Sequence, residues 1–428
     1  MFARMNYEPW IARRLMATGG GGFTRVIIWM ATGAVALSVA VMILSLALMT
    51  GFKEEITRKI FGFWGHIHIS DPRSIRSYEA LPFTYDTAMI ASIASIERVE
   101  SAAGANGTSG KPVMTKGGVK HVQGYIYLPG IITYDQQMEG LILKGIGADF
   151  DWDNINHYND SGTPWTGLAP DEIIISRITA NRLRLKEGDK LILHFVREGT
   201  QLQRRFVIKG FYKTGLEEND AKFALASIDM VRGVLKWDST AVSGLEITVD
   251  HIQDMALITD YIYQKELPGH LYAESIREKF PSLFEWLELQ DINTVVIIGL
   301  MLAVAIINMI TALLILILER TQMIGILKSM GARDGSIRKV FIWFAMYITF
   351  GGVLMGNFLG LGLAWLEDRF HFVKLNEADY YLDYAPVKVL SWHLVAVNTG
   401  ALVIIGLCLL APSLLVSKIN PIRTIHFN

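Results

Sequence analysis

Residues 319–339 read ERTQMIGILKSMGARDGSIRK and form a charged break between two long apolar runs. Because all the charge between those runs lies in this segment, it predicts a short hairpin on one side of a membrane. A small helix is expected inside the hairpin, with five apolar side chains: Met323, Ile324, Ile326, Leu327 and Met330. A segment that only turned the chain would not need so much apolar surface. We therefore expect another protein to bind it.

The rest of the chain has the composition of a membrane protein. Apolar residues make up 51% of the 428 residues, and the mean hydropathy is +0.32. Four segments contain no Asp, Glu, Lys or Arg: 26–52, 292–318, 340–366 and 394–417. Each is longer than the roughly 20 apolar residues that cross a bilayer. The expected fold is membrane α-helical, with four transmembrane helices and a large mixed α/β domain, 53–291, between the first two.

Basic residues predict the orientation. The N-terminal arm, 1–25, the hairpin and the tail, 418–428, are rich in Lys and Arg, whereas the loop 367–393 has more acidic than basic residues. The positive-inside rule therefore places both termini and the hairpin in the cytoplasm, and the domain 53–291 outside. The arm mixes aromatic and aliphatic residues with arginines, which predicts an amphipathic helix on the cytoplasmic membrane face.

Charge and cysteine content exclude some classes of protein. The formal net charge of −1 offers no strongly basic surface, so no nucleic-acid partner is expected. The only cysteine, Cys408, lies in the fourth apolar segment, so the domain 53–291 is expected to rely on its own core without disulfides. The first apolar segment lacks a small-x-small cleavage site and should remain as an anchor.

Sequence patterns divide the domain 53–291 into strands and helices. The first transmembrane helix is expected to continue outward as a stalk to about Phe61, and the polar segment 149–166 is expected to be a loop. Strands are predicted at 66–69, 190–196, 206–212 and 245–249, and helices at 87–99, 176–185 and 251–266.

No catalytic or nucleotide-binding motif is complete. The segment 104–112, GANGTSGKP, resembles a phosphate-binding loop, but Ala105 stands where the first glycine belongs and Pro112 replaces the magnesium-binding Ser or Thr. No serine or histidine has a nucleophile motif around it. The chain is therefore not expected to be an enzyme or to bind a cofactor, and any ATP would be bound by another chain.

Two groups of residues could be considered as metal ligands. His66 and His68 lie two residues apart on a strand, but no third ligand has a suitable spacing, so strand residues in polar surroundings are the preferred interpretation. Four aspartates follow the spacing of a calcium-binding loop at positions one, three, five and twelve: Asp149, Asp151, Asp153 and Asp160. Asn154 replaces the usual glycine, so a polar surface loop is preferred over a calcium site. No metal is predicted.

Polar and small residues inside the apolar segments predict helix packing. Gly352, Gly356 and Gly360 recur every fourth residue, which allows a second helix to approach closely. Simple bundle packing is the preferred interpretation, and a contact that moves is the alternative. Asn308 is the conspicuous polar residue of the second segment and is expected to hydrogen-bond a neighbouring helix rather than a substrate.

The hairpin resembles the cytoplasmic coupling segment of ABC-transporter permeases of the FtsX/MacB type, in which I-x-I-L-K-x-L/M-G-A is typical. The tail from Ala411 to Arg423 also resembles their C-terminal ending. A narrower resemblance is to the lipoprotein-releasing (Lol) permeases of Gram-negative bacteria. It rests on four segments: Thr50 to Ile56 (TGFKEEI), Leu143 to Ile146 (LKGI), Arg205 to Asp220, and Val295 to Leu318 with Asn308.

The resemblance implies an architecture and partners. The expected fold is the type VII (MacB-like) permease, with a periplasmic domain after the first of four spans, in the inner membrane of a Gram-negative bacterium. Two permease chains, identical or paralogous (LolC-like or LolE-like), would pair with a cytoplasmic ATPase dimer that binds ATP and magnesium. They would extract an acylated lipoprotein from the lipid bilayer and pass it to a periplasmic carrier.

The resemblance also implies roles for residues. In the hairpin, some side chains would insert into an ATPase groove, and charged ones would contact its rim; a loop packed on its own chain is the alternative. These residues are Glu319, Arg320, Met323, Ile324, Leu327, Lys328, Met330, Gly331 and Arg333. An acyl path could follow the outer ends of the first two spans, although ordinary bilayer contact explains the same residues: Ile43, Leu46, Met49, Phe52, Val295 and Ile298.

Three other functions stay open at this point. A MacB-like mechanotransmission permease would push periplasmic substrates toward an efflux duct. An FtsX-like regulator would use the same stroke to activate a periplasmic cell-wall hydrolase. A membrane-anchored binding or sensor protein would have no ATPase at all.

Overall fold

The computed structural model describes residues 7–17, 22–74, 78, 81–100, 114–135, 137–197 and 200–414. Contacts divide the chain into two compact units. The helical unit comprises Met1–Glu54, Trp286–Lys374 and Tyr384–Asn428. The α/β unit comprises Glu55–Glu285 and Leu375–Asp383. The segment 104–112 and the tail after Leu414 lie outside the described residues.

Seven helices contribute to the described part of the helical unit. They are α1 (Tyr7–Ala17), α2 (Gly22–Trp64), α10 (Pro281–Glu319), α11 (Thr321–Ser329), α12 (Asp334–Phe370), α14 (Ser391–Cys408) and α15 (Leu410–Ser413). Among the described residues, four helical stretches are long and apolar enough to cross a membrane: Thr24–Trp64, Pro281–Glu319, Asp334–Phe370 and Ser391–Ser413. The prediction of four apolar spans is confirmed, and the first helix continues past its apolar part to Trp64.

Helix α1 packs into the helical unit. Its Ala12 is completely buried in the core of that unit, and Ile11 and Leu15 pack against the same core. Its main neighbour is α12. The apolar side of this arm, predicted to rest on the membrane face, is therefore largely covered by protein, while Trp10 remains 61% exposed.

Three glycines of α12 allow α2 to approach closely. A Cβ atom added to Gly352 would lie 2.7 Å from the Val35 Cβ, and one added to Gly356 would lie 2.7 Å from the Ala36 carbonyl oxygen. A Cβ atom added to Gly360 would lie 3.2 Å from the Ala40 Cα of the same helix, α2. Real Cβ contacts essentially never come closer than 3.0 Å, so only glycine fits at 352 and 356, and a side chain at 360 would be tight.

Eleven strands and eight short helices form the described part of the α/β unit. The strands are β1 (Ile67–Ser70), β2 (Phe83–Thr84), β3 (Val119–Tyr134), β4 (Gln137–Ile146), β5 (Glu172–Ser176), β6 (Lys190–Arg197), β7 (Thr200–Tyr212), β8 (Phe223–Ser227), β9 (Ala241–Val242), β10 (Gly244–Val249) and β11 (Tyr272–Ser275). The α-helices are α3 (Thr87–Ala94), α4 (Trp152–Asn156), α5 (Arg177–Leu183), α6 (Glu217–Asp220), α7 (Ile228–Leu235), α8 (Met255–Tyr261), α9 (Ile276–Lys279) and α13 (Glu377–Tyr380). Short 3₁₀ segments occupy Pro72–Ser74 and Ile252–Asp254, and a π-turn occupies Ile262–Glu266.

Nine of these strands form one sheet, in the order β11-β1-β10-β3-β4-β8-β5-β7-β6. A further pairing between β3 and β6 closes the part from β3 to β6 into a ring. The β4–β8 and β5–β7 pairs are parallel, and the other pairs are antiparallel. Ser176 caps α5 by accepting a hydrogen bond from the Thr179 N–H, as is typical of serine at a helix start.

The prediction that 149–166 is only a polar loop is wrong. The segment contains α4 and buries both Ile155 and Trp165. Its backbone also joins β7, because the Asp160 N–H donates to the Phe211 carbonyl oxygen (2.8 Å). Two large apolar side chains in a polar sequence provide enough buried surface to hold it against the sheet.

Part of the loop between α12 and α14 folds within the α/β unit. Lys213 pairs with Glu377 (2.8 Å), and Lys59 donates to the Tyr381 carbonyl oxygen (2.9 Å). The segment closes on itself because the Leu375 N–H donates to the Asp383 carbonyl oxygen (3.0 Å). The sequence predicted a simple connecting loop here.

Candidate functional site

The hairpin between α10 and α12 is built around helix α11 and a glycine turn. Gly331 has a φ of +90°. Its N–H donates to the Lys328 carbonyl oxygen (3.0 Å), and the Ala332 N–H donates to the Leu327 carbonyl oxygen (3.0 Å). This is the Schellman arrangement that ends helices, and it requires a residue that tolerates the left-handed conformation. Gly331 therefore shapes the turn of the hairpin, and its assignment to the coupling set stays a prediction.

One face of α11 is covered by the chain itself. Ile324 is completely buried in the core of the helical unit, and Met323 and Leu327 are half-buried against the same core. The prediction that Ile324 inserts into a partner's groove is wrong, because its side chain already has a complete apolar environment. For this face, the alternative of a self-packed hairpin is the correct one.

The opposite face of α11 is exposed. Met330 is 78% exposed and Ile326 is 48% exposed, and Gln322, Ser329 and Arg333 are exposed beside them. Positions 322, 326 and 329 follow helical spacing within α11, and we group the exposed Met330 and Arg333, which follow its last residue, with them in one stripe. Of the residues in this stripe, which we call the outer stripe, sequence reasoning assigned contact roles only to Met330 and Arg333. The helical spacing itself was the signal that could have identified Ile326.

Two of the four predicted rim charges are engaged within the chain. Lys328 pairs with Asp334 (2.9 Å), and its side chain is only 11% exposed. Glu319 accepts a hydrogen bond from the Thr24 hydroxyl of α2. Arg320 is half-buried, and its Nε has no hydrogen-bond partner among the described residues. Of the predicted rim cations, Arg333 is therefore the one that is exposed to solvent.

The six residues of the predicted acyl path do not share one surface. Ile43 is buried in the core of the helical unit, so its assignment to a lipid surface is wrong. Leu46 and Ile298 are half-buried against that core, and Met49 is half-buried. Phe52 makes an edge contact with Trp286 (5.5 Å between ring centroids), whereas Val295 is 67% exposed. Of these six residues, only Val295 has most of its side chain exposed on the surface of the helical unit.

The polar contact between spanning helices is not where the sequence predicted it. Asn308 is exposed and has no hydrogen-bond partner among the described residues, so the expected bond to a neighbouring helix is absent from this part of the chain. Asn357 of α12 and Asn398 of α14 instead exchange two amide hydrogen bonds (2.8 and 3.1 Å). Sequence reasoning missed this pair.

The α/β unit buries a cluster of charged side chains beside Trp64. Lys144 donates to the Phe63 carbonyl oxygen (2.7 Å) and pairs with Glu246 (2.8 Å), and both side chains are at most 2% exposed. Lys279 lies 3.9 Å from Glu274. Burial lowers the pKa of Lys279 to about 8 and also lowers the pKa of Lys144. We call these four residues the buried ion cluster.

Both histidines considered as metal ligands have protein partners. His66 accepts a hydrogen bond from the Val249 N–H (2.8 Å), and burial lowers its pKa to about 4. His68 bonds the Trp64 carbonyl oxygen (2.5 Å) and the Lys279 ammonium (3.0 Å), and burial lowers its pKa well below the usual range. No group of three or more potential ligands is close enough to hold a metal within the described residues.

The four aspartates of the calcium-like spacing also have separate surroundings. Asp160 pairs with Arg177, and Asp151 accepts a hydrogen bond from the Asn154 amide (2.8 Å). The main-chain carbonyl of Asp149 bonds His121 (2.6 Å). These contacts hold the segment against the sheet.

The sequence motifs now have structural roles. Gly51 lies where α2 meets the loop before α14, since a Cβ there would lie 2.5 Å from the Pro386 carbonyl oxygen. Lys144 of the LKGI motif belongs to the buried ion cluster. Asp220, at the end of the third motif, accepts hydrogen bonds from the Thr214 N–H and hydroxyl and the Gly215 N–H. This turn supports Lys59 and the segment 375–383.

Residues 295–421 match the family described as FtsX-like permease C-terminal. Together with the four apolar helices, this match supports the class of a multi-pass membrane permease subunit of the ABC type.

Curated relatives extend the likeness over nearly the whole chain. The lipoprotein-releasing system transmembrane protein LolC of Neisseria meningitidis serogroup B is 22% identical over 442 residues, covering 98% of this chain and 99% of its own. LolE of Haemophilus influenzae is 23% identical over 434 residues, covering 91% of this chain and 92% of its own. The chain is thus similar to Lol permeases and, over residues 295–421, to FtsX-like permeases, which is the resemblance that its motifs indicated.

Among solved structures, the extracellular domain of the noncanonic ABC-type transporter YknZ from Gram-positive bacteria covers 49% of this chain and 99% of its own. The identity is 11% and the TM-score is 0.31. This likeness is too low to support an argument about the fold.

Proposed function

We propose that this chain is the permease subunit of an ATP-driven transporter that extracts acylated lipoproteins from the inner membrane and passes them to a periplasmic carrier. The observation that carries the proposal is the likeness to LolC, which spans 98% of this chain. In this proposal the α/β unit is periplasmic, and the hairpin and both termini are cytoplasmic. The basic residues of the N-terminal arm and the hairpin support this orientation.

The energy of the extraction explains the need for a separate ATPase. At ~0.8 kcal/mol per buried CH₂ group, one myristoyl-length chain costs on the order of 10 kcal/mol to remove from a bilayer. A triacylated lipoprotein needs more than passive binding supplies. In this proposal a cytoplasmic ATPase dimer binds ATP and magnesium, and a second permease chain, identical or paralogous, completes the complex. This chain performs no catalysis itself.

The outer stripe of the hairpin is the proposed contact with the ATPase. Met330 and Ile326 are exposed apolar side chains, and Arg333 adds a charge at the edge. An apolar helix face with a charged edge is the pattern by which helices dock into grooves. Leu327 and Lys328 are poor positions for testing the contact, because one packs on the core and the other pairs with Asp334.

Double substitution in the outer stripe tests the contact. Ile326→Asp with Met330→Asp should reduce the ATPase that co-purifies with the chain by at least about tenfold, because charges would enter an apolar interface at a cost of several kcal/mol. The amount of chain in the membrane should be unchanged, since both side chains are exposed. The matched control is Ile252→Asp with Met138→Asp in the α/β unit, which are 47% and 68% exposed. Wild-type co-purification of the stripe variant would refute the contact.

A crosslinking experiment tests the substrate. A photoreactive amino acid at Val295, the exposed member of the predicted acyl path, should capture an acylated lipoprotein in cells. The control position is Ile43, which is buried in the core and should give crosslinks only within the chain. Capture of an efflux duct component or a hydrolase activator instead would replace lipoprotein release with one of the alternative functions.

A further inference from the structure

A groove in the helical unit lies beside the start of the first spanning helix. It has a volume of about 480 Å³ and is bounded by α2, α12 and the end of α1. This volume falls within the range of about 300–1,000 Å³ that is usual for ligand sites. None of the residues discussed above for the proposed transport function lines it.

Among the described residues that line the groove, Arg25 is the one charged side chain. It is exposed and forms no hydrogen bond or ion pair with the described residues. The described lining includes no Asp or Glu. Glu319 is the acid that contacts the neighbouring residue, Thr24, whose hydroxyl donates to it. The described lining therefore has a net positive charge and an exposed guanidinium with several donors, which suits a phosphate group.

The groove has a charged end at Arg25 and apolar walls further along α2. Arg25 immediately precedes the apolar segment 26–52, which is the level of lipid headgroups for a spanning helix. Trp29 and Tyr347 also line the groove, and such residues favour the membrane interface. Ile28 and Met355 provide apolar walls. Thr32 lies seven residues beyond Arg25, or about 10 Å at 1.5 Å per residue.

We propose that this groove binds one anionic phospholipid of the surrounding leaflet, with its phosphate on Arg25 and an acyl chain along Ile28 and Met355. Charge complementarity selects an anionic headgroup, since no acid among the described residues pairs with Arg25. The position of the cation at the end of an apolar segment selects a membrane lipid rather than a soluble phosphate. The site does not depend on the proposed transport function.

Native mass spectrometry of the purified full chain tests this site. The protein is equilibrated with equal amounts of phosphatidylglycerol and phosphatidylcholine in detergent, and the retained lipid is counted. Wild-type protein should retain phosphatidylglycerol in preference to phosphatidylcholine. Arg25→Gln should reduce that preference by about tenfold, whereas Arg13→Gln should leave it unchanged, because Arg13 is an exposed arginine of α1 outside the groove.

A second variant tests the groove without changing charge. Gly351→Leu should fill it, because a Cβ at this position meets only the Thr32 methyl at 3.9 Å and a longer side chain would enter the groove. Retention of phosphatidylglycerol should then fall as in Arg25→Gln. Equal losses in Arg25→Gln and Arg13→Gln, or full retention in Gly351→Leu, would overturn the proposal. Displacement of the lipid by an equal concentration of glycerol 1-phosphate would also overturn it and assign the site to a soluble phosphate.

Discussion

The two units of this protein bury different chemistry. The helical unit brings α2 and α12 together through Gly352, Gly356 and Gly360, so backbone and small side chains make the contact. The α/β unit instead encloses the buried ion cluster among aromatic rings. Within a bilayer, lipid is as apolar as leucine, so helices gain stability from close packing rather than from leaving water. In water, burial of a large aromatic core can offset the cost of enclosing charge.

This difference teaches which substitutions each unit tolerates. In the α/β unit, the sensitive feature is the pairing of charges, because an unpaired buried charge is costly. In the helical unit, the sensitive feature is volume at the helix contact, because an added methyl group forces the helices apart. The predictions below test the two rules separately.

The largest effect is expected from breaking the buried ion cluster. Lys144→Met should lower the stability of the α/β unit by about 3–5 kcal/mol, because Glu246 is left buried without its main partner. Hydrogen exchange of β4 and β10 in the full chain measures this loss.

Two controls accompany that variant. Arg182→Met breaks the Arg182–Glu139 pair, in which the arginine side chain is 51% exposed, and should cost at most about 1 kcal/mol. Lys144→Met combined with Glu246→Met should be more stable than Lys144→Met alone, since no unpaired carboxylate remains at that contact. Equal losses in the buried and exposed pairs would contradict the first rule.

The next effect depends on pH. The pKa of His66 is lowered by burial from 6.5 to about 4, so the unfolded state binds more protons between these values. The unfolding free energy of the α/β unit should therefore rise with pH over this window. The contribution of His66 to that free energy is lost as pH falls from 6.5 to about 4. The full contribution is about 3 kcal/mol at about 1.4 kcal/mol per pKa unit.

His66→Asn isolates this contribution, because an amide oxygen can accept the bond from the Val249 N–H. Asp220 has the opposite trend, since burial raises its pKa to about 6 and its contribution to stability falls as pH rises from about 4 to about 6. The measured quantity is thus the difference in unfolding free energy between wild type and His66→Asn at each pH. Hydrogen exchange, corrected for intrinsic exchange rates, gives both values. A difference that does not vary between pH 4 and 6.5 would exclude His66 as its source.

The smallest effect is expected at the glycine contact of the helical unit. Gly356→Ala should cost about 1–3 kcal/mol, because its methyl group would meet the Ala36 carbonyl oxygen at 2.7 Å. Gly362→Ala in the same helix should be neutral or stabilising by up to about 1 kcal/mol, since no atom lies within 4 Å and alanine favours helices. Unfolding by sodium dodecyl sulfate in mixed micelles measures both. Equal behaviour of the two alanines would contradict the second rule.

The four apolar helices could be predicted from the sequence, because length and lack of charge suffice for that inference. The faces of α11 could not. An apolar helix between charges has the same pattern whether its isoleucines pack on the chain or on a partner, and only the fold distinguishes Ile324 from Ile326. Whether the outer stripe binds an ATPase stays a prediction.

Polar residues were harder to place than apolar ones. Lysine is rarely buried unless it is paired, and the partner of Lys144 is Glu246, which is distant in the chain. Asn308 was conspicuous by its position, yet Asn357 and Asn398 form the hydrogen-bonded pair. Closure of the sheet by β3 and β6 likewise depends on long-range pairing that no local pattern specifies.

The segment 375–383 has a consequence for biosynthesis. Because it belongs to the α/β unit, that unit lacks a piece until the ribosome has passed residue 383. By then α10 and α12, which precede the segment, have already been translated. At the roughly 5–20 residues per second of chain synthesis, the 98 positions from 286 to 383 delay completion by several seconds at least. Lys59 and Lys213 must wait that long for Tyr381 and Glu377, so the last step in folding this unit follows the synthesis of two spanning helices of its own chain.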